Sequence, residues 1–223
     1  MSNFSRHEVV ENLLYNRIVP ILHHSDVKQT IDVITACYEG GLKVFEFTNR
    51  SDLAHEVFSE VSKQIRRKTP DVLIGAGSIV DPGTTSLYIQ LGADFIVSPV
   101  MNPQMGDICN SRKITWIPGA GTLTEILEAD KCGADIVKVF PANHLGGPEY
   151  IKSIKGPCPW LVLMATGSIS TDRETITSWL KSGAHCLGLG SQLFTKDILE
   201  RKDYQGLTAK VKTIMQLVQD LRN

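Results

Sequence analysis

Two short segments carry charged side chains where an apolar run should exclude them. In IVKVFP, beginning at Ile136, Lys138 interrupts Ile136, Val137, Val139 and Phe140. Strand side chains alternate between faces, so Lys138 shares its face with Ile136 and Phe140 while Val137 and Val139 point the other way. Where both faces of a strand are covered, a lysine sits in low dielectric, its ammonium form is disfavoured and its pKa falls from about 10.4. The neutral amine that results is the nucleophile a Schiff base with a carbonyl substrate requires. A structural lysine held in a buried ion pair is the alternative, because buried lysines are usually paired.

The second segment is FEFTNR, in which Glu46, Thr48 and Arg50 alternate with Phe45, Phe47 and Asn49. The polar trio then lines one face and the phenylalanines pack on the other. With the trio inward, Glu46 lies deepest and Arg50 nearest the mouth. Glu46 is expected to pair with Lys138 or to move protons to and from a carbinolamine, and Arg50 offers a planar fork to a carboxylate. A local Glu/Arg salt bridge would account for that strand alone, but not for the lone lysine on another strand.

The elements that position these residues repeat. Apolar, β-branched runs begin at Arg17, Leu42, Val72, Phe95, Thr115, Ile136, Trp160 and Cys186, giving eight strand candidates. Helix signals lie between them. Asp26 and Gln29 form an expected capping box ahead of Val27, Ile31, Ile34 and Tyr38, a helix that stops at Gly40-Gly41. Asp81-Pro82 and Asn102-Pro103 read as N-cap then first-turn proline, and Thr122/Glu125 and Thr171/Glu174 as two further capping boxes. Strands alternating with helices imply right-handed crossovers and a parallel sheet. Eight units in a chain of 223 residues point to an α/β fold, a closed (β/α)8 TIM barrel: one domain over 1–223, with an extra N-terminal helix over 1–16 capping the barrel.

An open doubly wound sheet lacks its fingerprint here. The G-x-G at Gly75-Ala76-Gly77 meets Val80 at the third glycine position, and the one at Gly188-Leu189-Gly190 meets Leu193. A barrel carries its site at the C-terminal ends of its strands, where this chain has Gly75-Ala76-Gly77-Ser78, Ser98-Pro99, Thr166-Gly167-Ser168 and Gly188-Leu189-Gly190-Ser191. Amides exposed at the seventh and eighth strand ends suit a phosphate, although Gly-Ser corners are also ordinary turn chemistry.

GGLKVFEFTNR, VLIGAGSI, FIVSP, TWIPG, VKVFPA, ATGSI and GLGS, in that order, resemble the 2-keto-3-deoxy-6-phosphogluconate (KDPG) / 4-hydroxy-2-oxoglutarate (KHG) aldolases, which are class I lyases. The resemblance implies that Lys138 forms a Schiff base with pyruvate and that Glu46 is the general acid/base. It implies that Arg50, Thr48 and Ser78 hold the ketoacid end, that Phe140 packs on it and that Pro99 shapes the wall. Gly167, Ser168, Gly190 and Ser191 would receive a phosphate. Ser168 stands where the family's T-G-G-I turn has its second glycine, and the residue could add a hydroxyl or obstruct the backbone. The implied reaction is cleavage of a 2-keto-3-deoxy acid to pyruvate and an aldehyde, without cofactor or metal, by a homotrimer. The galactonate isomer or an unphosphorylated acid is the alternative substrate, and a phosphate-binding isomerase or epimerase, or a non-catalytic barrel, the alternative class. His23 and His24 follow the first strand, where some members of the family that the chain resembles carry an arginine able to touch the substrate and an imidazole would change what is recognised; the alternative reading is two surface histidines at a loop start, without carboxylates at metal-ligand spacing.

Composition narrows the partners. Lys+Arg 23 against Asp+Glu 24 leaves a net charge of -1, with no general pull on nucleic acid or an anionic membrane. No apolar stretch approaches the roughly 18 residues of a membrane span, so a soluble, cytoplasmic enzyme of small molecules is expected. Cys37, Cys109, Cys132, Cys158 and Cys186 are odd in number, scattered and without C-x-x-C, and they read as small buried hydrophobes.

Overall fold

A computed structural model describes residues 2–222; Met1 and Asn223, the ends of the expected domain and in Met1 the start of the expected first helix, lie outside them. The first helix, α1 (Arg6–Asn16), is shorter than the expected 1–16. Ser5 caps it reciprocally with Glu8. Then follow β1 (Ile18–Leu22), α2 (Val27–Glu39), β2 (Val44–Thr48), α3 (Ala54–Lys68), β3 (Leu73–Gly77), α4 (Pro82–Leu91), β4 (Phe95–Val97) and α5 (Pro103–Ser111). The second half comprises β5 (Thr115–Ile117), β6 (Gly119–Ala120), α6 (Leu123–Lys131), β7 (Val137–Val139), α7 (Pro148–Lys155), β8 (Leu163–Thr166), α8 (Arg173–Lys181), β9 (Cys186–Leu189), α9 (Lys196–Arg201) and α10 (Tyr204–Asp220).

All strand pairs are parallel, and β1 pairs with both β2 and β9. The fold is the TIM barrel expected, with one difference. The fifth run is two strands, because Pro118 has no amide to continue the ladder. Below that proline β5 pairs with β4, and above it β6 pairs with β7, so this one run closes the barrel. Gly119 makes the closure possible, since a Cβ there would overlap the Pro99 backbone.

Alternation divides the core in two. Phe45, Phe47, Val137 and Val139 face the helices. Val19, Val44, Leu73, Phe95, Val97, Ile117, Ile136, Met164 and Cys186 fill the barrel, and Val9 and Leu13 of α1 plug it from below. The helix therefore caps the N-terminal mouth, and the next inward layers, nearer the C-terminal mouth, are left for chemistry.

Asp81, Asn102 and Thr122 cap their helices as expected, Thr122 reciprocally with Glu125. Two expected boxes do not form. Asp26 accepts from the Gln29 amide, but the Gln29 side chain turns away to the Leu199 carbonyl at 2.9 Å. At α8 the cap is Asp172, one residue beyond Thr171, and it takes both the amide and the hydroxyl of Thr175. A carboxylate competes better than a neighbouring hydroxyl for amides at a helix start. Of the cysteines, Cys132 is only half-buried. Among the described residues no helix is long and apolar enough to cross a membrane.

Candidate active site

The inward register that carries Val44 and Ile136 continues upward to Glu46 and Thr48 on β2 and to Lys138 on β7. Glu46 is 1% and Lys138 6% exposed, so both ionisable groups are removed from water inside the barrel. Each has a glycine beside it on a neighbouring strand. Gly77 leaves the space the Glu46 carboxylate occupies, and a Cβ there would overlap Oε1. Lys138 is in register with Gly119 on one side and Met164 on the other. Gly188 lies against Thr166, whose Oγ1 would be 2.5 Å from a Cβ at that glycine.

Of the two relations expected between Glu46 and Lys138, an ion pair or proton transfer, the direct ion pair is not formed. Glu46 Oε2 is buried without a hydrogen bond, and Lys138 Nζ lies over the Phe140 ring, 5.0 Å from its centroid. Burial is the dominant influence on both. It pushes the Lys138 ammonium below the ordinary lysine range, opposed by the Glu46 charge and assisted by Arg50. It raises the Glu46 carboxyl, opposed by Lys138 and then Arg50. Both shifts favour neutral forms, a free amine beside a protonated acid, which is the pair that carbonyl addition and dehydration need. A static buried salt bridge would have shown two satisfied partners; here an acceptor oxygen is left over.

Above this pair lies a cavity of about 420 Å³ whose wall includes Thr48, Arg50 and Phe140. Thr48 Oγ1 donates to the Leu22 carbonyl at 3.4 Å. Arg50 is exposed at the rim and its Nε donates to Ser78 Oγ at 3.1 Å, which links two of the side chains expected to hold the ketoacid end. Ser78 and Ser168 both adopt left-handed backbone, φ 59 and φ 54. Ser168 therefore takes a conformation that glycine adopts freely, despite its side chain. It lines the cavity with Gly167, Gly190 and Ser191. Among the described residues the amides of Ser168, Ile169, Ser191 and Gln192 find no protein acceptor. Pro99 is not in the cavity wall; its backbone backs Gly119 instead.

Two cavity residues had no individual role assigned from sequence, Thr166 entering only as part of the Thr166-Gly167-Ser168 turn. Thr166 Oγ1 is buried and unpartnered at the end of β8. Its signal was its position, two residues above Met164 and so inward again. His23, for which a surface position was one of the two readings, also lines the cavity, and its Nδ1 lies 3.0 Å from the Thr48 carbonyl. His24 does remain in its loop, where its Nδ1 accepts from the Asp26 amide. Among the described residues no three His, Cys, Asp or Glu side chains gather in a metal-binding cluster.

Comparison with known proteins gives a consistent result. The family described as "KDPG and KHG aldolase" matches residues 9–210. A 2-dehydro-3-deoxy-phosphogluconate aldolase of Pseudoalteromonas atlantica is 32% identical over 199 residues, 87% of this chain and 88% of that one. The KHG/KDPG aldolase of Escherichia coli is 29% identical over 191 residues, 86% of this chain and 87% of that one. Among solved structures, the KDPG aldolase of Legionella pneumophila, with pyruvate captured as a covalent carbinolamine, superposes with a TM-score of 0.81 at 23% identity, covering 91% of this chain and 97% of that one.

Proposed function

Because this chain belongs to the KDPG and KHG aldolase family, a family of lyases, we propose that it cleaves a 2-keto-3-deoxy acid to pyruvate and an aldehyde through a Schiff base on Lys138. The observation that carries this assignment is the buried, unpaired Lys138 amine beneath an open cavity, with an unpartnered Glu46 oxygen in the same interior.

The neutral Lys138 amine adds to the C2 ketone, and the protonated Glu46 carboxyl gives its proton to the departing hydroxyl, so that water leaves and an iminium forms. The Glu46 carboxylate then takes the proton of the C4 hydroxyl. The C3–C4 bond breaks, its electron pair moves into the iminium to give an enamine, and the aldehyde departs. Glu46 returns that proton to C3, and water hydrolyses the resulting iminium to pyruvate and free Lys138, the released proton restoring the Glu46 acid. The iminium is the electron sink, so the sequence of steps asks for no metal or cofactor.

Arg50, with Ser78, receives the substrate's C1 carboxylate, Thr48 holds the same end and Phe140 packs on the ketoacid chain. Pro99 acts indirectly, by backing Gly119 beside Lys138. Thr166 donates or accepts at a substrate oxygen, since its hydroxyl has no protein partner. Sodium borohydride added with pyruvate should leave one reduced pyruvyl adduct, located at Lys138 by peptide mass analysis; an adduct elsewhere, or none, overturns the assignment. Arg50→Met should raise the KM for pyruvate in the synthetic direction by roughly 10- to 100-fold, as expected for losing a charge-assisted, bidentate contact. A KM unchanged in steady-state assays would remove Arg50 from that role.

The aldehyde end faces Gly167, Ser168, Gly190 and Ser191. Four free amides and two serine hydroxyls there favour a phosphorylated substrate such as KDPG over its unphosphorylated counterpart. The kcat/KM for 2-keto-3-deoxy-6-phosphogluconate should exceed that for 2-keto-3-deoxygluconate by at least ~100-fold; equal values would assign the chain to an unphosphorylated acid. The protein works as a cytoplasmic homotrimer in this reading. Exposed Leu53, Val80 and Val100 beside β2–β4 supply apolar surface for self-association, and five unpaired cysteines suit a reducing compartment.

A further inference from the structure

We propose that His23 is a specificity residue that accepts a hydrogen bond from a hydroxyl on the aldehyde half of the substrate. The inference rests on the aldolase reading above and sharpens it. His23 follows β1 and reaches the cavity with its ring tilted on Phe47, centroids 6.3 Å apart. Its Nδ1 lies 3.0 Å from the Thr48 carbonyl oxygen. A carbonyl can only accept, so Nδ1 must carry the hydrogen; the neutral ring then has a bare lone pair at Nε2. Among the described residues no protein group donates to that nitrogen.

The acceptor is held in place. Packing on Phe47 and the bond to the Thr48 carbonyl fix both the tautomer and the plane of the ring, and Thr48 belongs to the same strand as Glu46. The cavity wall around His23 otherwise offers the Arg50 guanidinium and the free amides of the late turns, which only donate, and the Thr166, Ser168 and Ser191 hydroxyls, which rotate and can donate or accept. Those groups suit carboxylate, carbonyl and phosphate oxygens. A substrate hydroxyl needs an acceptor as well, and His23 Nε2 is a preorganised one among them. A hydroxylated aldehyde is thereby preferred to an otherwise equal aldehyde without the hydroxyl, because only the former satisfies the ring nitrogen.

Aldol addition of pyruvate to glycolaldehyde and to acetaldehyde, which differ by one hydroxyl, tests this directly. The wild-type protein should favour glycolaldehyde in kcat/KM, and His23→Phe, which keeps a ring on Phe47, should shrink that preference by about 10-fold. His23→Leu provides a second variant should the first misfold, and borohydride trapping of pyruvate on Lys138 reports whether the site is intact in either. A preference that stays at the wild-type value, a wild-type protein with no preference, or an equal fall for both aldehydes with slower trapping each overturns the specificity role. A wild-type protein that traps no pyruvate overturns the aldolase reading itself, a failure visible before any variant is made.

Discussion

Lys138→Met lowers kcat/KM for retro-aldol cleavage by on the order of 10⁴-fold or more and yields no borohydride adduct with pyruvate, because methionine fills the same unbranched volume without a nucleophile. The same substitution raises thermal stability. The Lys138 ammonium is pushed below the ordinary lysine value of 10.5 mainly by burial. At pH values below the folded-state pKa the folded protein bears the full penalty of a buried charge, and the penalty fades as pH rises from there to 10.5. The gain in the variant is accordingly greatest on the acid side and vanishes above that value, with Tm rising by about 2–4 °C for each kcal/mol relieved in a chain of this size. Calorimetry across pH and single-turnover assays on one preparation separate the two effects. Cleavage that persists in Lys138→Met and is abolished by EDTA would identify a metal-dependent reaction instead.

Glu46→Gln lowers kcat by roughly 10²–10⁴-fold, the usual worth of a positioned acid–base group, while the nucleophile remains. Trapping of pyruvate on Lys138 continues, but slowly, since the amide cannot protonate the departing hydroxyl. Exchange of the pyruvate methyl protons with deuterated water, followed by NMR, falls with kcat because both use the same proton carrier. The raised Glu46 pKa, caused first by burial and reduced by Lys138 and Arg50, keeps a proton available above the ordinary carboxylate range. A Glu46→Gln enzyme with undiminished exchange would assign the proton transfers to another group. Folding responds in the opposite pH sense to Lys138: the cost of the buried Glu46 charge is absent in acid, grows as pH rises from 4.5, and is complete above the folded-state pKa.

Much of the barrel was legible because its logic is local. The inward placement of Glu46 and Lys138 follows from counting by twos, and Phe45, Phe47, Val137 and Val139 obey the same count on the outside. Asp81, Asn102 and Thr122 announce their helices through hydrogen bonds spanning only two or three residues. Where a neighbour from another part of the chain decides, the sequence was silent or misleading. The Gln29 side chain is drawn off by a carbonyl 170 residues away. The break at Pro118 depends on which strands close the barrel. Thr166 reads as a turn residue until Gly188 on the adjacent strand leaves its hydroxyl without a partner. His23 lies just past a strand end, where the alternation lapses and only the Thr48 carbonyl decides that the ring turns inward. The direct Glu46–Lys138 ion pair, one of the two relations expected, is absent for a related reason: residue types predict attraction, but the strands that carry them set the separation.

The plug formed by Val9 and Leu13 makes the barrel a vessel with one doorway. Everything that enters or leaves must pass the rim at Arg50 and the late turns. In the proposed mechanism the covalent bond to Lys138 already sets the order of departure, the aldehyde first and pyruvate after hydrolysis. A helix with no part in the chemistry thus makes both products, and the water that frees the second, share a single route.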